Sequence, residues 1–287
     1  MTGGVLAAAA GVAGGIGIVE GALPGRPQLQ RMYGLNGPPG EVPDVEPGPV
    51  LSGTFVSRHR LGERTGWALA RPPGDHGPLP LVVALHGRGW DHSNPMGPRM
   101  GIPQFLAQAV ERGVPPFQVA TVDGGHTYWH PWPTGEDAGA MVVDEFLPLL
   151  HRRYDVPVER VGLMGWSMGG YGALRLGAEL GPERVAAVVA ASPAVWRDPD
   201  DASPTGFSSR QEYEELTVFG DQERLADIPV MVSCGTGDPL YREVEAYVDG
   251  FPDDAELTSA FEPGAHDADY WRRLLPAQLA FLGSRVA

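Results

Sequence analysis

The chain has 287 residues, 36 acidic and 21 basic, and a net charge of −15, which repels nucleic-acid backbones and anionic membrane surfaces and excludes both as expected partners. A single cysteine, Cys234, excludes an intrachain disulfide framework, and its apolar setting in Pro229-Val-Met-Val-Ser-Cys234 reads as a buried strand position without a redox role. With 40 Gly and 29 Pro the composition suits a loop-rich globular chain better than a helical bundle.

Val5 to Val19 is an uncharged Ala/Gly/Val/Ile run, similar in length to the apolar part of an export signal and too weakly apolar for a membrane span. No Lys or Arg precedes it. Residues 1–23 therefore read as the remnant of an export signal or as a retained apolar helix, with an exported or cell-envelope location preferred over the cytoplasm. Residues 24–49, with Pro24-Gly-Arg-Pro27 and Gly37-Pro-Pro-Gly40, read as a linker, and residues 50–287 as one catalytic domain.

From Val50 the pattern turns to β. Leu51–Ser57 and Thr65–Arg71 predict two leading strands in a hairpin, and Leu79–Leu85 is a continuous apolar run of the kind buried on both faces of a parallel sheet. His86-Gly-Arg-Gly-Trp90 follows at once, where hydrolases of such architecture place one oxyanion donor. Ile102–Gly113 predicts a helix closed by glycine, Phe117–Val122 a strand, and the stretch from about Ala138 to Leu150 an amphipathic helix. Val185–Ser192, Pro229–Cys234 and Glu256–Glu262 predict further strands, and a final helix holds Tyr270, Trp271, Leu274 and Leu275. Residues 193–228 have no strong period and are too long for an ordinary crossover, so they read as a small cap, with a surface excursion as the alternative.

The centre of the chain is Gly165-Trp-Ser167-Met-Gly169, an apolar strand running into a small-residue helix. Such a reversal forces Ser167 into a strained backbone conformation, and side chains at either glycine would meet the adjoining strand and helix. The serine oxygen then stands at the mouth of the sheet, beside the N–H groups that begin a helix. A serine needs an imidazole to take its proton and a carboxylate to hold that imidazole. Asp238 and His266 each follow a predicted strand, at the edge where Ser167 emerges, and the order Ser, Asp, His is that of the α/β-hydrolases.

Asp221, Asp253 and Asp254 compete for the role of the acid, the first inside the cap and the others in a turn. His86 belongs to the oxyanion loop, and His59, His76, His92 and His151 all precede the elbow. His126 and His130 near Asp123 have i, i+4 spacing, but Gly124-Gly125 and Pro131 disfavour the helix that would bring them together, so no metal is expected. No cofactor is expected either. Tyr128, Trp129 and Trp132 suggest an aromatic substrate wall, or equally ordinary loop packing, and Trp166 beside the serine is a further substrate-binding candidate.

Gly165-Trp-Ser-Met-Gly-Gly-Tyr-Gly-Ala-Leu174, with the His86-Gly87 loop, Asp238 and His266, resembles the esterase D and antigen 85 group of α/β-hydrolases over residues 80–275. The resemblance implies an α/β-hydrolase fold, with a mostly parallel central sheet flanked by helices. It also implies a serine carboxylesterase or acyltransferase whose oxyanion donors are the backbone N–H groups of Met168 and Arg88. The group often carries a long hydrophobic residue where Arg88 stands, which leaves the Arg88 side chain to an anionic substrate group or to solvent. The expected activity is hydrolysis of a small-molecule or lipid-like acyl ester through an acyl-enzyme. The competing functions are acyl transfer to an alcohol, or binding without catalysis.

Overall fold

The computed structural model describes residues 26–287. The apolar run of residues 1–23 lies outside the described residues. The strands are β1 (Val50–Val56), β2 (Arg64–Ala70), β3 (Leu81–Leu85), β4 (Gln118–Val122), β5 (Val161–Trp166), β6 (Val185–Ala191), β7 (Val230–Gly235) and β8 (Leu257–Glu262). They form one eight-stranded sheet in the order β1-β2-β4-β3-β5-β6-β7-β8. The leading hairpin is antiparallel and joins the sheet edge through β2 against β4; every pairing from β4 to β8 is parallel.

Parallel strands need crossovers, and helices between the strands, with one helix before β1 and one after β8, flank the sheet. These are α1 (Arg26–Met32), α2 (Ile102–Glu111), α3 (Ala138–Met141 continuing through Val142–Phe146 into Leu147–Tyr154), α4 (Met168–Leu180), α5 (Arg210–Leu216), α6 (Tyr241–Val248) and α7 (Ala268–Val286). Alternation along β3 shows how the two cores arise. Val83 and Leu85 pack with Phe146, Leu150 and Leu174 on one face, while Val82 and Ala84 pack with Phe105, Leu106 and Leu279 on the other. All five residues of the strand are buried, which is why its sequence is uniformly apolar. The middle of α3 is a π turn over Val142–Phe146. Pro148 explains it: without an N–H it cannot bond the carbonyl four residues back, and the wider turn absorbs the defect.

The proline-rich stretch before β1 is not a free tether. α1 begins it, and Gln30 Nε2 donates to Thr236 Oγ1 at 3.4 Å. Two arginines of α7 then hold the following arm by its carbonyls: Arg272 Nε donates to Gly40 O at 2.6 Å, and Arg273 Nη1 to Pro38 O at 2.6 Å. Prolines that remove N–H donors leave carbonyls in need of partners, and α7 supplies them.

Residues 193–228 hold α5 and a short 3₁₀ turn, Gln222–Leu225. Their aromatic side chains Trp196, Phe207 and Tyr213 are buried against Tyr128 and Tyr171. The segment is tied down by Tyr171 Oη–H donating to Leu216 O at 2.6 Å, and His130 Nε2 lies 2.8 Å from Gly206 O. Cys234 is fully buried on β7, and burial pushes its thiol well above the ordinary cysteine range.

Candidate active site

β5 ends in Trp166, and Ser167 turns the chain into α4 with φ 56° and ψ −119°. That positive φ is costly for a residue with a side chain and persists only where the surroundings enforce it. Here Ser167 N–H donates to Ala191 O at 3.0 Å, while Ser167 O accepts from Tyr171 N–H at 3.1 Å and Ala194 N–H at 3.0 Å. The turn is also too tight for neighbouring side chains. A Cβ at Gly165 would lie 2.1 Å from Gly169 O, and one at Gly169 would lie 1.9 Å from Leu85 O.

The loops after β7 and β8 meet the serine at the carboxyl edge of the sheet. Ser167 Oγ is 2.9 Å from His266 Nε2, and His266 Nδ1 is 2.7 Å from Asp238 Oδ2. A carboxylate only accepts, so Nδ1 carries the proton and Nε2 is left to accept from the serine hydroxyl. The Asp238 side chain is fully buried, whereas that of His266 is 29 % exposed. Leu240 N–H donates to Asp238 Oδ1 at 2.8 Å, so each carboxylate oxygen has one defined donor. Gly235 allows the two loops to touch, because a Cβ there would lie 2.3 Å from Gly264 O.

The competing residues lie elsewhere. Asp221 immediately precedes the 3₁₀ turn and pairs with Arg224 at 3.4 Å, and Asp253 and Asp254 are exposed in a turn. His59 faces Asp144, while His76 and His151 lie against local backbone carbonyls. His92 packs over Gly66. His86 is a brace: its Nε2 accepts from Gly124 N–H at 2.9 Å and its Nδ1–H donates to Gly87 O at 2.9 Å, joining the loops after β3 and β4. His126 is exposed and His130 buried, with both ring nitrogens of His130 against carbonyls, at 2.9 Å from Pro131 O and 2.8 Å from Gly206 O. They do not face one site.

The second loop of the site turns sharply. Trp90 N–H donates to Gly87 O at 3.2 Å, and Gly89 between them has φ 78°, the positive value required at the third position of a type II turn. This exposes Arg88. Neither Arg88 N–H nor Met168 N–H donates to a protein acceptor among the described residues, and Met168 begins α4, where helical N–H groups have no partner within the helix.

A cavity of about 220 Å³ opens at Ser167 and His266, walled by Gly87, Arg88, Trp90, Arg99 and Trp271. Trp271 braces His266. Its ring stands edge-on to His266 with centroids 5.1 Å apart, and its Nε1–H is held by Ser192 Oγ at 3.1 Å. Residues 193–228 contribute nothing to this wall.

The four aromatic substrate candidates, Tyr128, Trp129, Trp132 and Trp166, do not line the cavity either, which corrects that expectation; Trp132 stacks on His130 and donates its Nε1–H to Thr127 O at 2.8 Å. Trp166 is fully buried and packs into the α2–α7 face, because it precedes the serine on a strand whose alternate residues point away from the mouth. Trp129 is fully buried over Gly124 and Gly172, where added Cβ atoms would lie 2.4 and 2.6 Å from its ring, and its Nε1–H donates to His86 O. Tyr128 lies 5 % exposed among Tyr171, Trp196 and Phe207. Both loop residues have positive φ, 53° and 60°, a local cost that burial of two large rings offsets. Trp90, Arg99 and Trp271 line the cavity instead, and only Trp90, within the His86–Trp90 loop, stands beside a motif visible in the sequence.

The family model described as "Putative esterase" matches residues 58–282. A ferulic acid esterase is 20% identical with a TM-score of 0.71, the match covering 84% of this chain and 100% of that one. An S-formylglutathione hydrolase from Agrobacterium tumefaciens is 19% identical with a TM-score of 0.68, covering 85% of this chain and 98% of that one. Fluorophosphonate-binding serine hydrolase F of Staphylococcus aureus is 17% identical with a TM-score of 0.66, covering 83% and 99%. No curated protein matches. At these identities the solved structures establish the fold, that of the α/β-hydrolase esterases, and the family match establishes the rest: the chain belongs to the esterase family and is a carboxylic ester hydrolase.

Proposed function

We propose that the protein cleaves its ester through an acyl-enzyme on Ser167. The observation that carries this reading is the unbroken hydrogen-bond chain Ser167 Oγ–His266–Asp238, at 2.9 and 2.7 Å. As Ser167 Oγ attacks the ester carbonyl, His266 Nε2 takes its proton and later passes it to the leaving alkoxide. The imidazolium formed in between is stabilised by buried Asp238, which also fixes the tautomer. The carbonyl oxygen becomes an anion, and the unpaired N–H groups of Met168 and Arg88 are the donors assigned to it. The Met168 donor gains from the N-terminal end of the α4 dipole. Water, deprotonated by His266, then attacks the acyl-enzyme and regenerates the serine. Neither step needs a cofactor.

The test is rapid-quench mass spectrometry of the protein with a 4-nitrophenyl ester. A transient mass increase equal to the acyl group, absent from Ser167→Ala, supports the mechanism. Steady turnover by Ser167→Ala at the wild-type rate would overturn it.

A further inference from the structure

Arg88 and Arg99 both face the cavity at the serine, and neither guanidinium forms an ion pair among the described residues. Ten other arginines do and eight further described ones do not, so what sets Arg88 and Arg99 apart is their place beside the serine. One carboxylate, Asp267, shares the wall, and its Oδ1 is taken by Tyr270 N–H at 3.0 Å as the cap of α7. The wall therefore carries a local excess of positive charge on a strongly anionic protein.

Arg99 is exposed, with one contact to its backbone and one to its guanidinium. Its backbone carbonyl accepts from Arg272 Nη1 at 2.7 Å, and its guanidinium lies 4.6 Å from the centre of the Trp90 ring. Trp90 stands edge-on to Trp271 at 5.6 Å, and Trp271 edge-on to His266 at 5.1 Å. A cation, two indoles and the base thus form one continuous wall, whose apolar middle has a charged end and a reactive end. Guanidinium forks suit carboxylates, which they can bind through two parallel N–H donors.

We propose that the natural substrate is an ester bearing a carboxylate, which docks on the Arg88 and Arg99 guanidiniums while its apolar body lies along Trp90 and Trp271. This rests on the Ser167 mechanism above. The guanidiniums contact a group that does not change during the reaction, so they bind ground state and transition state alike, and their contribution falls on KM and not on kcat.

The test uses the whole chain and two matched substrates, the 4-nitrophenyl monoester of glutaric acid and the same ester with its free carboxyl methylated. At low ionic strength the acid has a kcat/KM about tenfold above the methylated ester, carried by KM, and the ratio shrinks in roughly 0.5 M salt. Arg99→Gln brings the ratio towards one, and Arg99→Lys restores part of it. Equal kcat/KM for the two esters, or a preference indifferent to both salt and Arg99→Gln, would overturn the proposal while leaving ester hydrolysis intact. Turnover of neither ester would overturn the Ser167 mechanism and this proposal together.

Discussion

Replacing Asp238 by asparagine is nearly isosteric, and the hydrogen bonds around it determine the outcome. In the native site Oδ1 accepts from Leu240 N–H and Oδ2 from His266 Nδ1–H. An amide has one acceptor oxygen. If that oxygen stays on Leu240 N–H, the NH₂ group faces His266, the ring must accept at Nδ1, and Nε2 then carries a proton and cannot take the one from Ser167. If the amide turns over, its NH₂ opposes Leu240 N–H in a fully buried site, leaving two donors unpaired at about 1–3 kcal/mol each. The first arrangement prevails and the base is lost. The imidazolium also loses its counter-charge, so kcat falls by roughly 10³–10⁴-fold, or about 4–5.5 kcal/mol of barrier, with KM little changed. Initial rates on a 4-nitrophenyl ester measure this, with circular dichroism and a thermal melt as checks on folding. Asp221→Asn, which only loosens a pair with exposed Arg224, is the control. A loss below tenfold in folded Asp238→Asn, or an equal loss in Asp221→Asn, would refute the reasoning.

Two further predictions concern the scaffold. Gly169→Ala puts a Cβ 1.9 Å from Leu85 O and 2.5 Å from Leu85 C, backbone atoms of a central strand that cannot move aside, so the variant is expected to be insoluble or to lose more than about 10³-fold in kcat with a lowered Tm. A soluble variant with native Tm and activity would contradict the elbow geometry. Arg273→Ala removes the donor to Pro38 O and the pair to Glu262, for a loss of about 1–3 kcal/mol, and should lower Tm by several degrees and speed proteolytic cleavage within residues 33–45; an unchanged Tm and unchanged cleavage rate would show that the arm is not held by α7.

The parallel core was legible because burial on both sides of a sheet leaves apolar runs such as Leu81–Leu85 and Val185–Ala191, which have few other readings. The elbow was legible because a strand-to-helix reversal around a serine needs glycine on both sides, a constraint written in adjacent residues. Ser167, Asp238 and His266 were selected by their placement after strands, and the structure brings those side chains within hydrogen-bond distance. The cavity wall was not legible in this way. Trp90, Arg99 and Trp271 come from three separate segments, and only the packing of α7 beside the β3 loop makes them neighbours. Tyr128 and Trp129 looked like a substrate wall because aromatic loop residues often are one. Nothing local reveals that Gly124 and Gly172 open a slot that takes Trp129 into the core. The arm before β1 reads as a linker in the sequence for a related reason: proline and glycine forbid regular hydrogen bonding within a segment but not bonding of its carbonyls to a helix from the other end of the chain.

The most direct test of the account is covalent labelling by a fluorophosphonate probe, followed by identification of the modified peptide. The probe needs a serine whose proton can be taken by a neighbouring base. Folded protein is expected to be labelled stoichiometrically at Ser167, with labelling abolished in Ser167→Ala and strongly slowed in His266→Ala. Labelling at another residue, or none in protein shown to be folded, would contradict it.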